Sequence, residues 1–424
     1  MQTAHHTDLN ASVPSADLIG RLPKTDLHVH LDGSLRLDTL IELARDARLD
    51  LPSQTPEGLL ELVFKERYDD LEDYLRAFSY TSPALCTAEA LERAAYELGA
   101  DNLAEGVCYV EVRLAPQLHT GPDLDIAGVL AAVDRGLAGV QREHEATESV
   151  RNGAEPPFRY GIIACALRMF GPGHSPYYRG LYSALNGWTR AEIHAAASLS
   201  LARSVVEARD RLGLPVVAFD LAGAEAGNPA AVHRDAFLFA QQNFLMKTIH
   251  AGEAYGPESI FQAITLLQAD RIGHGTHLYA ADRLRRDNPN SAAAKDPERY
   301  IRSLAQYISD RRITLEVCIT SNLQSIRQLQ TLSDHPFARM MEDRLSVTLC
   351  TDNRLMSRTS VTKEIASACE AFNLTHEDLR NVIIYGFKRS FYPGTYLEKR
   401  AYVRRVIDRY DEVMAAETAG VASS

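Results

Sequence analysis

Residues 25–34 read TDLHVHLDGS. Residues 25–31 are a short apolar run broken by Asp26 and two histidines, and a polar turn starts at Asp32. A run of this length bounded by a turn reads as a strand. Side chains two apart on a strand point to the same side, so His28 and His30 share a face at its end. Two neutral imidazoles side by side can hold one metal ion. An H-x-H pair also arises by chance on exposed strands, so its meaning depends on what ends the other runs.

Seven more runs follow, at residues 108–115, 160–167, 216–221, 245–250, 271–274, 313–319 and 346–351. Most are rich in Val, Ile, Leu and Cys with little alternation, the pattern of parallel strands buried on both faces. Residues 271–274 are too few to stand as a strand alone. Helix-periodic stretches lie between the runs, among them 38–47 with Asp38 as its candidate cap, 91–103 and 193–212. Strands alternating with helices give a parallel α/β fold, and eight such units close a (β/α)8 TIM barrel. An open doubly wound sheet is the alternative, but no G-x-G-x-x-G follows the first run.

Two connections, 32–104 and 168–189, are too long for bare barrel loops. The first carries Phe64, Tyr68, Tyr74 and Phe78, so extra helices are expected over the barrel mouth, with residues 59–78 as an apolar lid. A polar stretch at 281–298 reads as a surface insertion. The expected organisation is a loose N-terminal arm over 1–20, one barrel domain over 21–414 and a frayed tail over 415–424.

The 424 residues are 46% hydrophobic and 24% charged, with a formal net charge of -11. That is the composition of a soluble globular chain. An acidic surface repels nucleic-acid backbone and anionic membrane, so neither is expected as a partner. No apolar run approaches the roughly 20 residues of a membrane span. The first twenty residues are polar and lack the pattern of a signal peptide. Six cysteines without a C-x-x-C pair read as buried, reduced thiols. A cytoplasmic enzyme is expected; the oligomeric state is open.

Chemistry gathers at the ends of the runs. The fifth ends His250-Ala251-Gly252-Glu253, the sixth places His274 between Gly273 and Gly275, and the eighth ends Asp352-Asn353. Each has an ordinary explanation by itself: a helix-start glycine, a tight turn, a capping pair. Together, at the ends of different strands of one barrel, they converge on one site. His28, His30, His250 and Asp352 supply three nitrogens and one oxygen, a set that suits Zn²⁺ with a position left for water. Water on such an ion has its pKa lowered to about 7. Glu253 and His274 remain as acid and base. Residues 216–221 hold no lysine to bridge a second metal, so one zinc per chain is expected.

The segments TDLHVHLDGS, DLAGAE, TIHAGE, RIGHGTHL, LEVCITSN and VTLCTDN resemble the adenosine deaminase family of the amidohydrolase superfamily, in the family's order from about Leu22 to about Tyr396. The resemblance implies a purine nucleoside as the small-molecule partner. It implies hydrolytic deamination of adenosine, and of 2′-deoxyadenosine, to inosine and ammonia. His28, His30, His250 and Asp352 match the zinc ligands. Glu253 matches the residue that gives a proton to purine N1, and His274 the histidine that orients and deprotonates the attacking water. His30, Asp32, Gly223 and Asn353 match positions against the substrate: Asp32 accepts from the ribose hydroxyl, and Gly223 offers its N–H to N3. The absence of C-x-x-C sets the chain apart from cytidine-type deaminases.

Two positions depart from the family. Asn353 stands where an aspartate is usual, and its amide can donate to N7 without first being protonated. Ile319 stands where proline is usual, which reads as a change in strand-end backbone. The alternatives are a deaminase of another 6-aminopurine (adenine, a modified adenine nucleoside or an aminodeoxyfutalosine-like compound), an inactive barrel acting as a binding protein, and a metal-dependent hydrolase of amides or phosphoesters.

Overall fold

All eight runs are strands: β1 (Lys24–His30), β2 (Val107–Leu114), β3 (Arg159–Leu167), β4 (Val216–Ala222), β5 (Met246–Ala251), β6 (Arg271–His274), β7 (Thr314–Val317) and β8 (Ser346–Leu349). They come from a computed structural model that describes residues 13–287 and 289–423. Neighbours in sequence are neighbours in the sheet, and every pair is parallel. A parallel bridge between Val29 and Asp352 joins the last strand region to the first. There Asp352 N–H donates to His28 C=O, and His30 N–H to Asp352 C=O, both at 2.7 Å. The sheet is a (β/α)8 barrel, and the seam that closes it runs through three candidate metal ligands.

The short run 271–274 is a strand because it pairs with β5 on one side and β7 on the other. The seventh strand is shorter than expected. Ile319 opens a helix, Ile319–Ser325, behind Cys318. Ile319 is therefore a first-turn helix residue, where proline is also well tolerated, and is not part of a strand end. The helix expected from residue 38 is Leu37–Asp46. Asp38 sits in its first turn, and no side chain caps it. Helix Arg190–Leu212 carries a capping box between Thr189 and Glu192 and stops at Gly213 in the left-handed region.

Helices occupy part of each expected chain end. Residues 1–12 of the expected arm lie outside the described residues. Ser15 caps a helix, Ala16–Arg21, that buries Leu18 and Ile19. Lys24 on β1 donates its ammonium to the carbonyls of Ile19 (2.7 Å), Leu22 (2.8 Å) and Gly20 (3.1 Å), which ties this helix to the barrel. At the other end, helix Tyr396–Ser423 runs through most of the expected tail, and Glu417 pairs with Arg21 at 2.5 Å. Five of the six cysteines are buried; Cys86 is exposed. No helix among the described residues is long and apolar enough to cross a membrane.

The barrel interior is ionic at its centre. Arg113 donates to Asp220 (3.0 Å) and Glu316 (2.8 Å). Arg271 donates to Glu316 (2.6 Å) and to Glu111, with the Phe391 ring 3.6 Å from its guanidinium. These side chains are fully or almost fully buried, and each charge has an opposite charge beside it. This network is the floor beneath the site.

Candidate active site

The site sits at the carboxyl ends of the strands, as barrel geometry requires. At the end of β1 the rings of His28 and His30 stand 5.5 Å apart, centre to centre. The Nε2 atoms of His30 and His250 are 3.1 Å apart. An Asp352 carboxylate oxygen lies 3.4 Å from His28 Nε2 and 3.5 Å from His30 Nε2. Donors placed about 2.0–2.1 Å from a tetrahedral ion stand roughly 3.3 Å from one another, so these separations fit one shared ion. The His28 Nε2 atom is buried without a hydrogen-bond partner among the described residues, as a metal-facing nitrogen would be. Donor atoms of His28, His250, His274 and Asp352 also fall within 4.8 Å of one another, so position alone leaves His30 and His274 as rivals for one place in the set.

Backbone geometry brings these groups together. Both His274 (φ 65°) and Asp352 (φ 61°) occupy the left-handed region, which costs energy for residues other than glycine and clusters at functional positions. Gly273 has no side chain for a local reason. A Cβ there would lie 2.8 Å from Cε1 of His28.

Carboxylates stand behind two of the histidines. His28 Nδ1 lies 2.8 Å from Glu316, and His250 Nδ1 lies 3.1 Å from Asp220. Burial works to raise both carboxyls. Arg113 and Arg271 nonetheless hold Glu316 well below the usual range, and His250 and Arg113 hold Asp220 low. Ionised carboxylates accept the Nδ1 protons and leave the Nε2 lone pairs of His28 and His250 facing the cluster. Ser321 donates its hydroxyl to Asp352 at 2.6 Å.

Glu253 follows β5. Burial pushes its carboxyl well above the ordinary value, and the Asp352 charge adds to the shift, which favours the protonated form. Its Oε1 lies 3.6 Å from His274 Nε2. Glu225 fixes this loop. It accepts the backbone N–H groups of Gly252 (2.8 Å), Glu253 (3.0 Å), Ala254 (2.7 Å) and Tyr255 (2.8 Å), and the Ser259 hydroxyl.

The remaining site residues line a pocket of about 180 Å³. Asp32 accepts from the Ser82 hydroxyl at 2.9 Å, with His119 at 3.8 Å. Gly223 forms part of the wall opposite. Asn353 also lines the pocket, but its Nδ2 donates to the Tyr74 hydroxyl at 2.9 Å. Its Oδ1 is buried without a hydrogen-bond partner among the described residues and occupies space that a Cβ at Gly33 would take.

Only part of the expected lid reaches the pocket. Leu71, Tyr74, Leu75 and Phe78 line it, whereas Leu59, Val63 and Phe64 are packed in the core. The insertion 168–189 adds Met169 and His174 to the rim. That at 281–298 forms two short helices that bury Leu284 and Ala293 against Ile301.

Every candidate metal ligand, catalytic and substrate-contact residue named from the sequence lies at this one site. His28 and His274 are at its buried floor, and the others line the pocket. Sequence reasoning assigned no role to Asp220, Glu225, Glu316, Ser321 or Asn322, although all five lie inside the quoted segments DLAGAE and LEVCITSN. The signal was a polar residue within or just after an apolar run.

The sequence pattern of the adenosine deaminase family matches residues 23–169 and 182–409. Adenosine deaminase 1 of Streptomyces coelicolor is 36% identical over 401 residues, covering 94% of this chain and 89% of the relative. The adenosine deaminase of Mycobacterium leprae is 37% identical over 377 residues, covering 88% and 92%. Among solved structures, an adenine deaminase from Arthrobacter aurescens superposes with a TM-score of 0.68 at 20% identity, covering 91% of this chain and 98% of its own. That likeness concerns the fold. The family match spans all eight strands and every candidate metal ligand, catalytic and substrate-contact residue, and on it the chain belongs to the adenosine deaminase family.

Proposed function

We propose that the chain is a zinc-dependent adenosine deaminase, converting adenosine and 2′-deoxyadenosine to inosine and ammonia. The observation that carries this reading is the buried Glu253 carboxyl 3.6 Å from His274, at the edge of a donor set spaced for one zinc ion. Zinc held by His28, His30, His250 and Asp352 would lower the pKa of water toward about 7 and so supply a nucleophile at neutral pH. Glu253 gives its proton to N1, which draws electrons from C6 and opens it to attack. His274 holds the attacking water over C6. Asp32 accepts from a ribose hydroxyl, and the Gly223 N–H meets N3. Leu71, Leu75 and Phe78 cover the base and exclude water.

A deaminase of a different 6-aminopurine is the second reading. It is favoured by Asn353, whose amide is engaged by Tyr74. An ultraviolet assay of the zinc-loaded protein on aminopurine bases, nucleosides and nucleotides separates the two. The highest kcat/KM is expected for adenosine and 2′-deoxyadenosine. A preference for free adenine or a nucleotide would establish the second reading, and no turnover of any aminopurine would overturn both.

A further inference from the structure

Behind His274 lies a line of buried groups whose proton positions are fixed from one end. The backbone N–H of Phe337 donates to Nδ1 of His335 at 3.1 Å. A backbone amide nitrogen is only a donor, so this ring nitrogen holds a lone pair. Burial pushes His335 down to about 3, so the ring is neutral and its single proton lies on Nε2. That N–H donates to Oδ1 of Asn322 at 3.2 Å, and the Thr276 hydroxyl donates to the same oxygen at 2.8 Å. The oxygen of Asn322 is thereby identified, and its Nδ2 faces Nδ1 of His274 at 3.0 Å. The reversed amide would set N–H against the N–H of His335, two buried donors without an acceptor. His335, Asn322, Thr276 and His274 are all buried, so water offers no substitute.

We propose that His335 is a positioning residue that acts through Asn322 to hold neutral His274 in the tautomer with its proton on Nε2. The proposal rests on the reading of His274 as the group that handles the attacking water. It changes what His274 does there. His28 and His250 are backed by carboxylates and present lone pairs to the cluster. His274 is backed by an amide N–H and presents a proton instead. Its Nε2 makes no hydrogen bond among the described residues and lies 3.6 Å from Oε1 of Glu253. An Nε2–H cannot ligate a metal, which leaves that place to His30. Nor can it take a proton from water in the resting state. It donates to the water oxygen and favours the ionised form of that water, whose charge passes into the ring on attack as Glu253 protonates N1.

The test is the ring-nitrogen spectrum of zinc-loaded protein labelled with ¹⁵N-histidine, with His274 assigned from the signals lost in His274→Asn. Protonated and lone-pair nitrogens resonate far apart. The wild type should show Nε2 protonated and Nδ1 unprotonated; the opposite pattern overturns the proposal outright. Thr276→Val with His335→Phe removes both donors to Asn322 Oδ1. The His274 tautomer should then become mixed or inverted. kcat should fall at least about tenfold, as for partners behind a reactive group, with zinc still bound and KM changed by less than about twofold. His335→Gln keeps a donor and should restore the tautomer and most of kcat. If stability or kcat falls while the tautomer stays as in the wild type, His335 merely caps the helix Phe337–Glu342 and the proposal fails. The spectrum is read without substrate, so an error in the assigned reaction would leave this result intact.

Discussion

His28 Nδ1 lies 2.8 Å from Oε2 of Glu316, so a carboxylate on β7 holds a ring on β1 from behind. Arg113 donates to the same oxygen at 2.8 Å and Arg271 to the other at 2.6 Å. Glu316 therefore serves the metal site and the barrel floor at once. Glu316→Gln should weaken zinc binding by about 10–100-fold, the usual effect of losing a partner behind a ligand. It should also destabilise the fold by about 3–5 kcal/mol, because two buried guanidiniums lose their shared counter-charge. Chelator competition and urea unfolding measure the two effects. Unchanged zinc affinity would leave Glu316 a structural ion only.

Glu253→Gln should keep zinc bound and lower kcat/KM by at least ~10²-fold, the scale of general acid catalysis. The amide fits the same space but has no acidic proton for N1. The acid works only while protonated, and burial and Asp352 raise its pKa. Wild-type activity should therefore be full below that raised value and fall as pH rises through it. The variant's residual activity should lack this fall. Near-normal turnover would remove Glu253 from the mechanism.

The strands were legible because a parallel strand buried on both faces must be apolar almost throughout, and the strand-end histidines and acids interrupt that pattern visibly. The barrel floor was not. Arg113 and Glu316 are 203 positions apart in the chain, and each alone reads as a blemish in an apolar run. Only the closed barrel brings them to 2.8 Å. Asn322 was hidden for a related reason. It looks like an ordinary polar residue after a strand, and its use depends on Phe337, His335 and Thr276 meeting around it. Polar termini suggest fraying, and that hid two helices: Leu18 and Ile19 bury one against the core, and Tyr402 and Val406, ahead of the expected tail, bury the other.

Acid stability should be limited by buried histidines. Burial holds His233 and His335 at about 3. Their folded values lie below the unfolded value of about 6.5, so the stabilisation they contribute is present above pH 6.5 and is lost as pH falls toward 3. At pH 4.5 each should have cost about 2–3 kcal/mol. Urea unfolding at pH 7.5 and 4.5 reads the difference. His233→Gln should shrink it; an equal drop in wild type and variant would clear His233.

Two phenylalanines separate core from lid. Phe64 is fully buried away from the pocket, and Phe78 is half-buried against it. Phe64→Ala should cost about 3–5 kcal/mol of stability with little change in KM. Phe78→Ala should raise KM with a smaller loss of stability. Thermal unfolding and steady-state kinetics on both variants check this. A raised KM in Phe64→Ala, at full occupancy of the folded state, would extend the lid to residue 64.

Asn353 and Tyr74 set the last prediction. The Asn353 amide donates to the Tyr74 hydroxyl at 2.9 Å, and Tyr74 itself bonds Ser357 at 3.2 Å. Tyr74 thus links the lid to the residue expected at purine N7. Tyr74→Phe removes the anchor, leaves the Asn353 amide to turn, and should blur discrimination at that edge of the base. Asn353→Asp puts a carboxyl next to Asp352, and like-charge repulsion should keep it protonated near neutral pH. That variant should remain active and lose activity at high pH as the new group ionises. 7-Deazaadenosine lacks the N7 acceptor, so a donor from Asn353 would be left unpaired at a cost of about 1–3 kcal/mol. The wild type should therefore prefer adenosine by roughly 5–100-fold in kcat/KM, with 1.4 kcal/mol per tenfold, and Tyr74→Phe should narrow the gap. Equal kcat/KM for the two nucleosides in the wild type would mean that Asn353 serves Tyr74 alone and the base is read elsewhere.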